Sequence, residues 1–144
     1  MATVLESDVI AGVMLVEPVV HGDARGLFVE TFRREWIPQA REMIQMNRAD
    51  RQAGCIVGLH DHGGIYIPPG VAHGFSSLTD MTITYLVDGY YDPNDELGMA
   101  WDDPELGDVW GLTDPPILSG RDSENPRRSE IADDMHPGFV PVTS

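Results

Sequence analysis

Cysteine is all but absent from this 144-residue chain, with Cys55 standing alone. No intrachain disulfide can form, and a reducing cytoplasm is the expected setting. With Gly54 and Ile56 beside it, Cys55 is expected to be a buried small apolar residue. Positive charge is scarce as well. Nine basic residues face 24 Asp and Glu, for a net charge of −15. That balance argues against nucleic acid and anionic membrane as partners, because both are held through basic patches. A small anionic ligand stays compatible, provided the few cations gather where it binds. No apolar run approaches the roughly 20 residues that span a bilayer. The stretch from Met1 to Asp8 lacks both a basic region and an apolar core, so it does not read as a secretion signal.

Helical periodicity is scarce too, and glycine and proline punctuate short apolar stretches. Val9 to Val20, broken by Gly12 and Pro18, reads as strands at an edge or crossing between sheets. Leu27 to Phe32 carries β-favouring residues after a Gly-Asp-Ala-Arg-Gly turn. Arg34 to Ile44, started near Pro38, is the one expected helix. Cys55 to His60, Ile65 to Ile67 and Met81 to Tyr91 read as strands; in the last, Ile83, Tyr85 and Val87 alternate with polar or smaller residues. From Asp92 onward the pattern is loop-like, with Trp101 and Trp110 as packing anchors and residues 123–144 as a surface-wrapping tail. The length suits one domain over 1–144. Many short strands with one short helix and a loop-rich C-terminal segment predict an all-β sandwich or jelly-roll barrel. Five or six strands are readable, where a jelly roll needs about eight.

Three constellations carry chemistry. His60, His62 and His73 fall within fourteen residues. In a strand His60 and His62 share a side, and three inward imidazoles suit zinc, iron or manganese. The blander reading makes His62 a turn residue beside Gly63 and Gly64. The second set is for proton transfer: a carboxylate such as Asp122 beside an imidazole raises its basicity, and an inward Tyr85 can pass a proton. Spacing alone does not bring His60, Tyr85 and Asp122 together; a core tyrosine and a turn-capping aspartate are the plainer readings. The third is Arg25-Gly26-Leu27-Phe28-Val29-Glu30, where a glycine admits close approach and an arginine fork suits phosphate.

Taken as a set, the blocks Asp23 to Glu30, Gln45-Met46-Asn47, Gly58-Leu59-His60, Ile67 to Phe75, Tyr90-Tyr91-Asp92-Pro93, Trp101 to Pro104 and Leu118 to Asp122 run in one order over most of the chain. In that order they resemble the dTDP-4-dehydrorhamnose 3,5-epimerase family. The resemblance implies a cupin-type jelly-roll barrel, no cofactor and no metal. It implies a homodimer whose subunits exchange N-terminal strands, acting on a dTDP-linked 4-keto-6-deoxy sugar. It makes His60 the base, Asp122 its carboxylate partner and Tyr85 the acid. It places Arg25, Phe28 and Glu30 on the nucleotide and diphosphate, and Gln45, Asn47 and His73 on the sugar and phosphate. Glu96 and Arg121 are further ligand contacts.

Two departures stand against that pattern. Val57 occupies the place of a family arginine. Asp61 to Gly64 replaces several family strands, along with the pocket lysine they carry. The expected barrel is therefore incomplete, and three functions follow from different classes. The first is C3 and/or C5 epimerisation in deoxysugar biosynthesis. The second is a non-catalytic nucleotide-sugar binder or dimerisation remnant of the same family. The third is a metal-dependent cupin enzyme using His60, His62 and His73.

Overall fold

The computed structural model describes residues 2–56, 63–92 and 97–135. These residues form seven short strands: β1 (Thr3–Glu6), β2 (Met14–Glu17), β3 (Val20–Asp23), β4 (Gly26–Val29), β5 (Gln45–Arg51), β6 (Gly64–Tyr66) and β7 (Met81–Val87). The only helical turns among them are 3-10 turns at Arg34–Trp36, Arg128–Glu130 and Asp133–Met135. The described chain divides into two compact units. One takes residues up to 42 with 63–73, the other 43–56 with 74–92 and 97–135.

In the first unit, β1, β2 and β6 pair antiparallel in that order. The β1–β2 loop is closed by its own polar groups. Ser7 Oγ accepts from Val9 N and Ile10 N, and Glu6 Oε1 accepts from Gly12 N at 2.8 Å. Gly12 turns there with φ of 80°, in the left-handed region that glycine enters without strain. The register aligns Leu5, Leu15 and Ile65 in one row across all three strands, and all three are exposed. Val13, Val16, Ile37, Ala40 and Pro68 are the buried apolar residues of this unit. β3 and β4 make a separate hairpin around Ala24-Arg25, with Asp23 opposite Gly26. Every residue of β3 is exposed.

The second unit is built on β5 and β7, paired antiparallel from Gln45↔Val87 to Arg51↔Met81. Gln45, Asn47, Ala49 and Arg51 are half-buried while Met46, Arg48 and Asp50 are exposed. That is the two-sided alternation of a strand with one covered face. On the exposed side, Asp50 accepts from Thr82 Oγ1 at 2.5 Å and from Arg48 at 3.0 Å. These bonds hold its carboxyl below the usual value of 3.8.

Several expectations change. The helix over Arg34 to Ile44 is only the Arg34–Trp36 turn. Pro38 crowds the residue before it out of helical geometry, and Ile37 sits at φ −129° and ψ 70°. The Arg34 guanidinium then bonds the carbonyls of Ile37 and Pro38. Cys55 is half-buried rather than buried. β1, β3 and β5 had not been anticipated. The two tryptophans do anchor the loop: Trp110 Nε1 donates to the Trp101 carbonyl at 2.7 Å. A Cβ on Gly74 would stand 3.3 Å from the Trp110 ring.

Ser77 is the fully buried polar centre of this unit. Its hydroxyl lies 2.6 Å from Gln52 O and 3.0 Å from Cys55 O. Its backbone accepts from Gly54 N and donates to Cys55 O. One side chain thus closes the 52–55 turn against the strand bridge Ile56↔Ser76. Ser77→Ala leaves a buried carbonyl short of its donor and is expected to lower stability by about 1–3 kcal/mol. Urea unfolding measures this, and an unchanged midpoint would mean that water replaces the hydroxyl.

The described part of the tail, 123–135, is held by the loop at 100–105. Buried Asp103 accepts from Arg128 N at 2.6 Å and Glu105 N at 2.9 Å. Those two N–H groups pull its carboxyl below the usual 3.8. A carboxyl depressed by folding stabilises fully above its unfolded value and loses that contribution as pH falls through the folded one. Amide exchange at Arg128 should therefore accelerate as pH drops below about 4 relative to the intrinsic rate. In Asp103→Asn that acid-dependent loss should vanish; if it persists, another group governs the tail.

Candidate active site

The sequence candidates fall on three structural features. The first is the face of the β5–β7 ribbon. Asn47 and Tyr85 are directly paired, and Gln45, two residues from Asn47, lies on the same side. In an antiparallel pair, opposite Cβ atoms stand about 4.5–5.5 Å apart. Gln45 Nε2 donates to Asn47 Oδ1 at 2.9 Å, and Gln45 Oε1 accepts from Tyr91 N at 3.3 Å. Tyr85 is 47% exposed, on the face it shares with Ala49, Ile83 and Val87. A phenol beside two oriented amides can pass a proton to a bound carbon and hold its oxygen neighbours.

The second is the turn Ser119-Gly120-Arg121-Asp122. Ser119 Oγ donates to Asp122 Oδ2 at 2.6 Å and accepts from Asp122 N at 3.1 Å. Asp122 Oδ1 stands 4.0 Å from the Arg121 guanidinium. The carboxylate is thus pinned by one oxygen, with the other turned towards a cation. Ser119 was not among the assigned residues. Its signal was the Ser-x-x-Asp spacing, which commonly closes a turn by a side-chain bond to main chain.

The third is the β3–β4 hairpin with the segment after it. Arg25 forks onto Asp23 at 2.5 Å, and Asp23 also accepts from Arg25 N at 2.8 Å. This raises the guanidinium pKa and lowers that of the carboxyl. The pair is solvent-facing and contributes little to stability. Phe28 is exposed and its ring lies 6.4 Å from His21, directly opposite. Glu30 pairs with Arg33 at 2.6 Å, and Arg33 reaches Glu35 at 3.1 Å. Arg33 holds Glu30 below its ordinary value. His73 is exposed, its Nδ1 being 3.1 Å from the Val71 carbonyl.

Val57, His60 and His62 lie outside the described residues, as does Glu96. Among the described residues no group of three His, Cys, Asp or Glu is placed to hold a metal. No helix among them is long and apolar enough to cross a membrane. The chain contains no lysine at all; its nine basic residues are arginines.

Comparison with known proteins converges on one family. The family model for dTDP-4-dehydrorhamnose 3,5-epimerase matches residues 7–64 and 60–130. The two matched stretches meet at residues 60–64. A dTDP-4-dehydrorhamnose 3,5-epimerase from Sinorhizobium fredii is 28% identical over 171 residues, taking in 85% of this chain and 88% of that protein. An alignment of 171 positions exceeds the 144 residues available, so the relative fills part of it with residues this chain lacks. The Neisseria gonorrhoeae epimerase is also 28% identical, over 76% of this chain, but this chain spans about half (48%) of that protein.

Among solved structures, an epimerase from Legionella pneumophila in complex with dTDP-4-keto-L-rhamnose matches with a TM-score of 0.82 at 23% identity. That match covers 97% of this chain and all of that one (100%). A Mycobacterium tuberculosis epimerase matches with a TM-score of 0.75 at 26% identity, over 87% of this chain and 88% of that one. The fold is accordingly an all-β cupin-type barrel, with its sheets left open. With its blocks in family order and its fold shared, the chain belongs to the dTDP-4-dehydrorhamnose 3,5-epimerase family of isomerases.

Proposed function

We propose that the chain epimerises a dTDP-linked 4-keto-6-deoxy sugar at C3, C5 or both. In this reading residues 1–144 act as one domain of a cytoplasmic homodimer, without cofactor or metal. The observation that carries it is the Asn47↔Tyr85 pair with Gln45 beside it, which sets a phenol and two amides on one ribbon face. His60 takes a proton from the carbon next to the C4 ketone. The C–H electrons move onto the ketone oxygen as an enolate. Tyr85 then returns a proton to the opposite face of that carbon, and the configuration inverts. Asp122, pinned by Ser119, supports the His60 imidazole. Arg25, Phe28, Glu30, Gln45, Asn47, His73, Glu96 and Arg121 contact the nucleotide, diphosphate and sugar. The dTDP-sugars named with the relatives' structures, dTDP-4-keto-L-rhamnose and dTDP-D-xylose, support the ligand class. A second copy suits the exposed Leu5–Leu15–Ile65 row and the solvent-facing β3–β4 hairpin, since apolar sheet faces and open strand edges invite pairing.

Solvent deuterium incorporation at C3 and C5 of dTDP-4-keto-6-deoxyglucose, followed by NMR, tests this. Exchange that His60→Ala abolishes supports the epimerase, and the exchanging carbon names the type. A second reading, a nucleotide-sugar binder without turnover, is favoured by Val57 in the arginine's place and by the absence of lysine. Each lost cation of this kind can cost on the order of 10²–10³ in rate. Folded protein that binds dTDP without exchange would select it.

A further inference from the structure

Gln45 and Asn47 are joined end to end by a chain that begins at the main chain. Tyr91 N–H donates to Gln45 Oε1 at 3.3 Å, and Gln45 Nε2 donates to Asn47 Oδ1 at 2.9 Å. A backbone N–H can only donate, so the Gln45 atom facing it is the carbonyl oxygen. The other end of that amide is an NH2, which also only donates, so Asn47 turns its oxygen towards Gln45. One main-chain group thereby fixes two side-chain amides whose two ends are otherwise interchangeable. Asn47 keeps its own NH2 directed away from Gln45, on the half-buried face where it is paired with Tyr85. That group offers donors and no acceptor.

We propose that Gln45 is a positioning residue that locks Asn47 as a hydrogen-bond donor, so that this face selects an acceptor oxygen of the ligand over a hydroxyl that must donate. The acceptor is a diphosphate oxygen or the keto oxygen that becomes an enolate; the two share the need for an N–H. The ligand's identity rests on the epimerase reading. The amide polarity does not, because it follows from the bonds alone.

Gln45→Glu is the discriminating variant. A glutamate still accepts from Tyr91 N–H, but it presents a second acceptor to Asn47. Asn47 then turns over, donating its NH2 to the carboxylate and presenting its oxygen instead. In 15N-labelled protein the Asn47 side-chain protons should move downfield and exchange with water more slowly. The Kd for dTDP should rise about tenfold. A matching rise for pyrophosphate assigns the donor to the diphosphate. Unchanged dTDP binding with about tenfold slower α-proton exchange assigns it to the keto oxygen.

Met46→Glu adds the same charge on the opposite, exposed face of β5. It should alter dTDP affinity by less than about twofold. Asn47 protons that do not move in Gln45→Glu would overturn the proposal. So would Met46→Glu weakening dTDP as much as Gln45→Glu, because charge alone would then account for the loss. If the native chain neither binds dTDP nor exchanges substrate protons, the epimerase reading fails, and the Asn47 resonances still decide the polarity.

Discussion

Tyr85→Phe is expected to slow epimerisation by about 10²–10⁴-fold while leaving the midpoint of unfolding unchanged. The ring stays, and with it the cross-strand packing against Asn47 and the β5–β7 register. Only the hydroxyl of a side chain 47% exposed is removed, so no buried polar group loses a partner. If Tyr85 is the acid that reprotonates the far face, its loss separates two events that normally travel together. Proton removal by His60 continues, and reprotonation falls back to the face the proton left. NMR of the product in deuterated water should then find label entering with the original configuration retained. Inversion at the native rate would assign the proton to another group. Retention together with a large drop in unfolding midpoint would make Tyr85 structural.

Asp122→Asn should be nearly as costly to turnover, again within about 10²–10⁴-fold, and nearly silent in stability. An asparagine oxygen can still accept from Ser119 Oγ, and the main-chain bond from residue 122 to Ser119 Oγ does not involve the carboxylate. The turn should therefore close as before, with Ser123 N still on Ser119 O at 3.1 Å. What changes is the charge presented by the other oxygen, which now faces Arg121 at 4.0 Å. A neutral amide no longer favours a protonated imidazole beside it. Binding of dTDP should survive while exchange fails. A variant that binds and turns over like the native chain would reduce Asp122 to the turn cap that its spacing also suggests.

The sequence announced the local parts of this structure better than the long-range ones. The turn before β4 was readable because Asp-Ala-Arg-Gly is decided by four adjacent residues, closed here by the Asp23 bond to Arg25 N, whereas β3 was not. β7 was readable from Ile83, Tyr85 and Val87. β5 was not, since Gln45-Met46-Asn47-Arg48-Ala49-Asp50-Arg51 has no apolar alternation. Its strand character comes from pairing with β7, from Arg51↔Met81 to Gln45↔Val87 and so well outside any local window. The expected helix failed for the opposite reason: Arg34 to Ile44 carries helix formers, and one proline outweighs them. The same division runs through the site. That Gln45 and Asn47 share a side follows from two-residue spacing, but that Tyr85 faces them depends on a register no spacing reveals. The weight of Ser119 and Ser77 lay hidden because hydroxyls look alike until their partners are known.

The three residues of β6 have one further implication. Gly64, Ile65 and Tyr66 are registered against Val16, Leu15 and Met14, and β1 fixes β2 from its other side. The ladder, not what precedes it, fixes the frame of Gly64 to Tyr66. In general a connection leading into a ladder held this way can change in length at little cost, each doubling of a flexible loop costing only about 0.6 kcal/mol. Inserting further residues ahead of Gly64 is therefore expected to leave the β1–β2–β6 register unchanged.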